Sequence, residues 1–121
     1  MTEREWQAVD ALARDEWRTF QARLKAECEH MASVTPLDFR YRETVDSLTI
    51  QRFEDGVAYR VLSVRFEPAV PRIAWDCQGP YAGAGWATFR LMGSGLLYVV
   101  NNVNTAPPDI LMQITRCLVA R

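Results

Sequence analysis

In Leu24-Lys25-Ala26-Glu27-Cys28-Glu29-His30-Met31-Ala32-Ser33-Val34-Thr35-Pro36-Leu37-Asp38-Phe39-Arg40-Tyr41-Arg42 the spacing of apolar residues changes at Pro36. Before it, Leu24, Cys28 and Met31 fall at steps of four and three, the repeat of one helical face. After it, Phe39 and Tyr41 alternate with Arg40 and Arg42, the repeat of a strand. A chain whose helical stretches are segregated from a run of strands in this way is expected to be α+β.

Upstream, Trp6, Val9, Ala13, Trp17 and Phe20 extend the helical stripe, with Arg4, Asp10, Arg14, Asp15, Arg18, Arg23, Lys25 and Glu29 between them as a hydrated face. Thr2 and Glu5 have the spacing of a capping box, which predicts a helix from about Glu3 to about Ala32. Roughly 30 residues at 1.5 Å each make a rod of about 45 Å. That is longer than a sheet of ordinary strands is wide, so one end is expected to project or to meet a partner.

Downstream, Leu48 and Ile50 alternate with Thr49 and Gln51, and Glu54-Asp55-Gly56 reads as a hairpin loop leading into a strand from Val57 to Glu67. In that strand Tyr59 and Val61 share one parity and Leu62, Val64 and Phe66 the other, which predicts a bulge near Leu62 and Ser63. Ile73, Trp75 and Cys77 alternate with Arg72, Ala74 and Asp76. The stretch from Gln78 to Gly85 reads as a turn, Ala87, Phe89 and Leu91 as a strand, Gly93-Ser94-Gly95 as a turn, and Leu96 to Asn101 as a last strand. Thr105-Ala106-Pro107-Pro108-Asp109 opens a helix whose apolar stripe, Leu111, Ile114 and Leu118 with Ile110 and Cys117 beside them, is expected to cover the sheet. The expected fold is one domain over residues 1–121: a long N-terminal helix, a meander-like antiparallel sheet of about six strands, and a C-terminal helix packed on it.

Among 121 residues, 14 basic and 15 acidic side chains nearly cancel, so no global field draws the chain to nucleic acid or to an anionic membrane. The N-terminus is charged at once, and no apolar run is long enough to cross a bilayer. Three cysteines, Cys28, Cys77 and Cys117, are odd in number and far apart, which reads as reduced, buried thiols and a cytoplasmic location.

No residue set specifies a chemistry, and the chain is expected to be non-enzymatic, without metal or cofactor. Cys28 and His30 are two apart on a helix and point away from each other, so His30 reads as a helix-end cation. The glycines around Gly79, Gly83 and Gly85 are followed by strands and lack the lysine of a phosphate loop. Arg40, Arg42, Arg52, Arg60, Arg65, Arg72 and Arg90 fall in predicted strands, where Asp38, Glu43, Asp46, Glu54, Asp55, Glu67 and Asp76 balance them. Cross-strand ion pairs on a hydrated face account for that pattern better than nucleic-acid binding does.

The order helix, strands, helix, with Trp75 in the sheet, resembles the frataxin family in topology. That family carries an acidic ridge for iron on its first helix and strand. Here Glu3, Glu5, Asp10, Asp15, Glu16, Glu27 and Glu29 are interrupted by arginines and Lys25, so the resemblance implies a topology without that ridge.

From Cys77 to Pro108 the only charged residue is Arg90, and Leu96-Leu97-Tyr98-Val99-Val100 is apolar on both faces. As the last strand of a meander it would lie at an edge and need cover. The expected function is an interaction or adaptor module that pairs with itself, as a homodimer, or with a protein partner through Leu96, Leu97, Tyr98, Val99 and Val100. The alternative is a small-molecule-binding domain whose sheet grips an apolar or anionic ligand through Trp75, Trp86, Phe89 and Tyr98.

Overall fold

The computed structural model describes residues 2–79, 83–92 and 95–119. Its first helix, α1 (Glu3–Val34), starts on the expected cap: Glu5 donates its backbone N–H to Thr2 Oγ1, and Thr2 donates its own to Glu5 Oε2. Val9, Ala13, Trp17, Phe20, Leu24, Cys28 and Met31 form its buried stripe, as their spacing predicts. Trp17 Nε1 donates to the Val45 carbonyl at 2.8 Å and Gln21 Nε2 to that of Thr44 at 2.9 Å. The helix is thereby fixed to the first hairpin. Its first turns do not project freely, because Trp6, 52% exposed, borders a shallow hollow closed by Pro68–Pro71.

The sheet has seven strands rather than six: β1 (Asp38–Glu43), β2 (Ser47–Glu54), β3 (Val57–Glu67), β4 (Arg72–Gln78), β5 (Gly83–Met92), β6 (Gly95–Val100) and β7 (Val103–Thr105). All pair antiparallel in chain order, as the meander reading requires. The seventh arises because Asn101 and Asn102 both adopt positive φ, turning the chain straight back on β6. Asp55 and Gly56 make the corresponding turn between β2 and β3. The helix α2 (Pro107–Val119) follows.

Both helices pack on one face of the sheet. Leu48, Ile50, Leu62, Val64, Phe66, Ile73, Cys77, Ala87 and Tyr98 point to that inner face and form one core with the α1 stripe and Ile110, Ile114 and Leu118 of α2. Of the seven strand arginines, Arg52 and Arg60 share the inner parity and are buried, whereas Arg40, Arg42, Arg65, Arg72 and Arg90 alternate to the outer face. There Arg65 and Arg72 both pair with Glu67, whose carboxyl is held below its ordinary range chiefly by the bond from Arg72. The bulge is not at Leu62. It lies at Tyr59, where Arg52 opposes Arg60 while Phe53 opposes Ala58. Val61 then simply faces outward, and the two parities need no reconciliation.

The reading of three reduced thiols holds for Cys28 alone, which is buried and free. Cys77 and Cys117 form a disulfide with their Cα atoms 6.5 Å apart. Their pairing follows from topology: the inner parity of β4 presents Cys77 to α2, and the last turn of α2 passes over it. Forty residues of sequence separation hid that contact.

Tyr98 is 1% exposed between the rings of Phe20 and Phe89, at 5.8 and 5.4 Å, and donates to Glu16 Oε1 at 2.6 Å. Burial first, then that bond, pushes its phenol well above the ordinary value, and burial does the same to Tyr41 beside Glu43. An unfolded tyrosine releases its proton near pH ~10 while these two keep theirs, so their stabilising share is complete below that pH and is lost above it. Urea unfolding at pH 8 and pH 11 should show the loss, and Tyr98→Phe should make it smaller. An equal loss in wild type and variant would refute the assignment to Tyr98.

Candidate cleft between the fifth strand and the second helix

The strand β5 changes partner at its middle. Gly83 through Thr88 pair with β4, from Cys77↔Gly83 to Arg72↔Thr88, and Thr88 through Met92 pair with β6, from Thr88↔Val99 to Met92↔Gly95. Thr88 alone has both neighbours. Among the described residues, no strand pairs with Gly83–Ala87 on the side where β6 has already ended. Alternate residues of an antiparallel strand direct their peptide groups to opposite sides, so this half presents part of its N–H and C=O groups to open space.

A cleft of about 560 Å³ occupies that space, within the range of small-molecule and cofactor sites. Its walls are the open half of β5, the end of β6 with Val100 and Asn101, and the flank of α2 with Gln113, Ile114, Arg116 and Cys117. Trp75 and Cys77 of β4 complete it. A Cβ at Gly85 would lie 2.6 Å from the Trp75 ring, so the absent side chain is what lets the indole lie across the strand. A Cβ at Gly83 would meet nothing within 4 Å. These glycines are strand residues and not the turn expected of them. Pro80, Tyr81 and Ala82, and Gly93 and Ser94 of the other predicted turn, lie outside the described residues.

The disulfide joins two of the cleft's walls, through Cys77 on β4 and Cys117 on α2. Arg116 is the one charged residue among the described lining residues, and it is exposed. Apolar surface from Trp75, Val100 and Ile114 therefore faces amide groups and a single cation.

Of the four residues expected to bind a ligand, the cleft brings two together. Trp75 contributes its ring. Trp86 stands at the rim, 57% exposed, alternating to the outer face with the Arg72 guanidinium 5.8 Å from its ring centroid. Phe89 and Tyr98 belong instead to the core beneath α1. The five residues expected at an interface also divide. Tyr98 is enclosed, Leu96 and Val100 are half-buried on the inner face, and Leu97 and Val99 are half-buried on the outer one. The strand carrying them is not the edge of the sheet, because β7 covers Tyr98 to Val100. Asn101, Gln113 and Arg116 were not singled out by sequence, and Gly83 was weighed only as part of a turn; a glycine pair at strand parity opposite a tryptophan was the available signal.

No group of three or more His, Cys, Asp or Glu among the described residues is placed to hold a metal ion, and no described helix is long and apolar enough to cross a membrane. Compared with known proteins, the chain matches no family model, no curated protein and no solved structure.

Proposed function

We propose that the chain is a non-enzymatic binding module whose working surface is the cleft between the open half of β5 and α2. The observation that carries this reading is the coincidence of the 560 Å³ cleft with a half-strand that, among the described residues, pairs on one side only, an indole and one arginine. Binding sites combine apolar walls with a few polar groups that fix orientation, and these residues supply both. Among the described lining residues none offers a nucleophile beside a base, since Cys77 and Cys117 are held in the disulfide.

Amide chemical shifts followed during titration with a fragment collection test the reading. Shifts should cluster at Gly83–Trp86, Asn101 and Gln113–Cys117. Gly83→Trp should abolish them at unchanged melting temperature, because a side chain at that position enters open space. Fragments that bind Gly83→Trp as well as wild type would remove the cleft from consideration.

Self-association is the second reading, favoured by exposed Trp86 and half-buried Leu97 and Val99 on the outer face. Val99→Lys should then convert a dimer to a monomer in native mass spectrometry, and an unchanged mass would exclude that face. As to location, the odd, scattered cysteines point to the cytoplasm and the disulfide to an oxidising compartment. We give the disulfide more weight, because it rests on the placement of two side chains rather than on a cysteine count.

A further inference from the structure

Resting on the cleft as the binding surface, we infer that its occupant is an extended acidic polypeptide segment that adds to β5 as a further strand. The open half of β5, Gly83 to Ala87, is about 17 Å long at roughly 3.4 Å per residue. Backbone donors and acceptors that leave water need partners, and a second backbone in extended form supplies them at the same repeat. A compact small molecule offers no such repeat. On the inner face the missing side chain of Gly83 leaves room for a guest side chain, and Ile114 and the Trp75 ring lying across Gly85 offer it apolar surface. The charge of the guest is set by Arg116, the only charged residue of the described lining, which favours a carboxylate on the incoming chain. A second copy is a poor match: its edge strand β7, Val103-Asn104-Thr105, has no acid, and β1 carries Arg40 and Arg42 beside Asp38 and Glu43.

Random heptapeptides displayed on phage and selected on the full chain under non-reducing conditions provide the test. Enriched sequences should alternate apolar and polar residues and carry Asp or Glu at one end. For the best synthetic peptide, N-methylation of alternate amides in one register should weaken binding at least about tenfold, as expected for the loss of two or more backbone hydrogen bonds, and in the other register much less. Arg116→Glu should reverse the preference from acidic to basic peptides. Peptides insensitive to N-methylation in both registers would overturn strand addition, as would a dimer of the protein that excludes them from this edge. If no peptide is enriched while fragments still shift the cleft residues, strand addition fails and the binding cleft stands; if neither binds, both fail.

Discussion

Replacing Cys77 and Cys117 together by serine is expected to lower stability by about 4 kcal/mol, the chain-entropy value for a closed loop of this length. The loop runs over a sequence separation of 40 and contains all of β5, β6 and β7. For a chain of this size the loss corresponds to a fall in melting temperature of about 15 °C. The variant should still fold, because the core from α1 and strands β2 to β4 closes without the cross-link and the chain is long enough to need no staple. Reduction of the wild type should reproduce the shift. Two scans, with and without reductant, check this directly. Equal melting temperatures would show that the cross-link contributes nothing, and a fall in the double variant but not on reduction would assign the loss to packing. The cleft should respond as well, since the bond joins its walls.

Much of the fold was legible because the decisive patterns are local. The stripe of α1, its capping box, the alternation in β4 and the Asp55-Gly56 turn each need only neighbouring residues to declare themselves. The seventh strand was missed because three residues are too short for a period, and its mark was the Asn101-Asn102 turn. The cleft was illegible for a different reason. It results from where β4 stops pairing with β5 and β6 starts, and register of that kind is fixed by side-chain contacts across the sheet rather than by the period of any strand. The same holds for Trp86, whose parity was readable but whose face depends on which side the helices cover. Arginine content misled in a related way. Arg52 and Arg60 look like their five neighbours in sequence and differ only in facing the end of α2.

That pair carries the second large prediction. Arg52 and Arg60 are opposite each other on β2 and β3, on the inner face, where two like charges would repel. What makes the arrangement stable is the C-terminal end of α2, whose last carbonyls have no partners within the helix and carry the negative end of its dipole. Arg60 Nη1 donates to the Cys117 carbonyl at 2.7 Å and Arg52 Nη1 to that of Leu118 at 2.9 Å, while Arg52 Nη2 reaches Glu54 at 2.6 Å. Arg60 is 1% exposed, so water cannot replace its donors. Arg60→Met keeps the length of the side chain and removes the charge-assisted bond, leaving the part-buried Cys117 carbonyl without this donor. The expected cost is about 3 kcal/mol, within the range for orphaning one side of a buried polar contact to a charged group. Hydrogen exchange should localise it: amides of the last turn of α2, around Arg116 and Cys117, should lose protection while those of β2 and β3 keep theirs. Arg52→Met should cost less, because Glu54, its ionic partner, is far more exposed and regains water. A loss below 1 kcal/mol for Arg60→Met, with α2 still protected, would mean that relief of the Arg52–Arg60 repulsion offsets the lost bond and that the arginines do not hold the helix end.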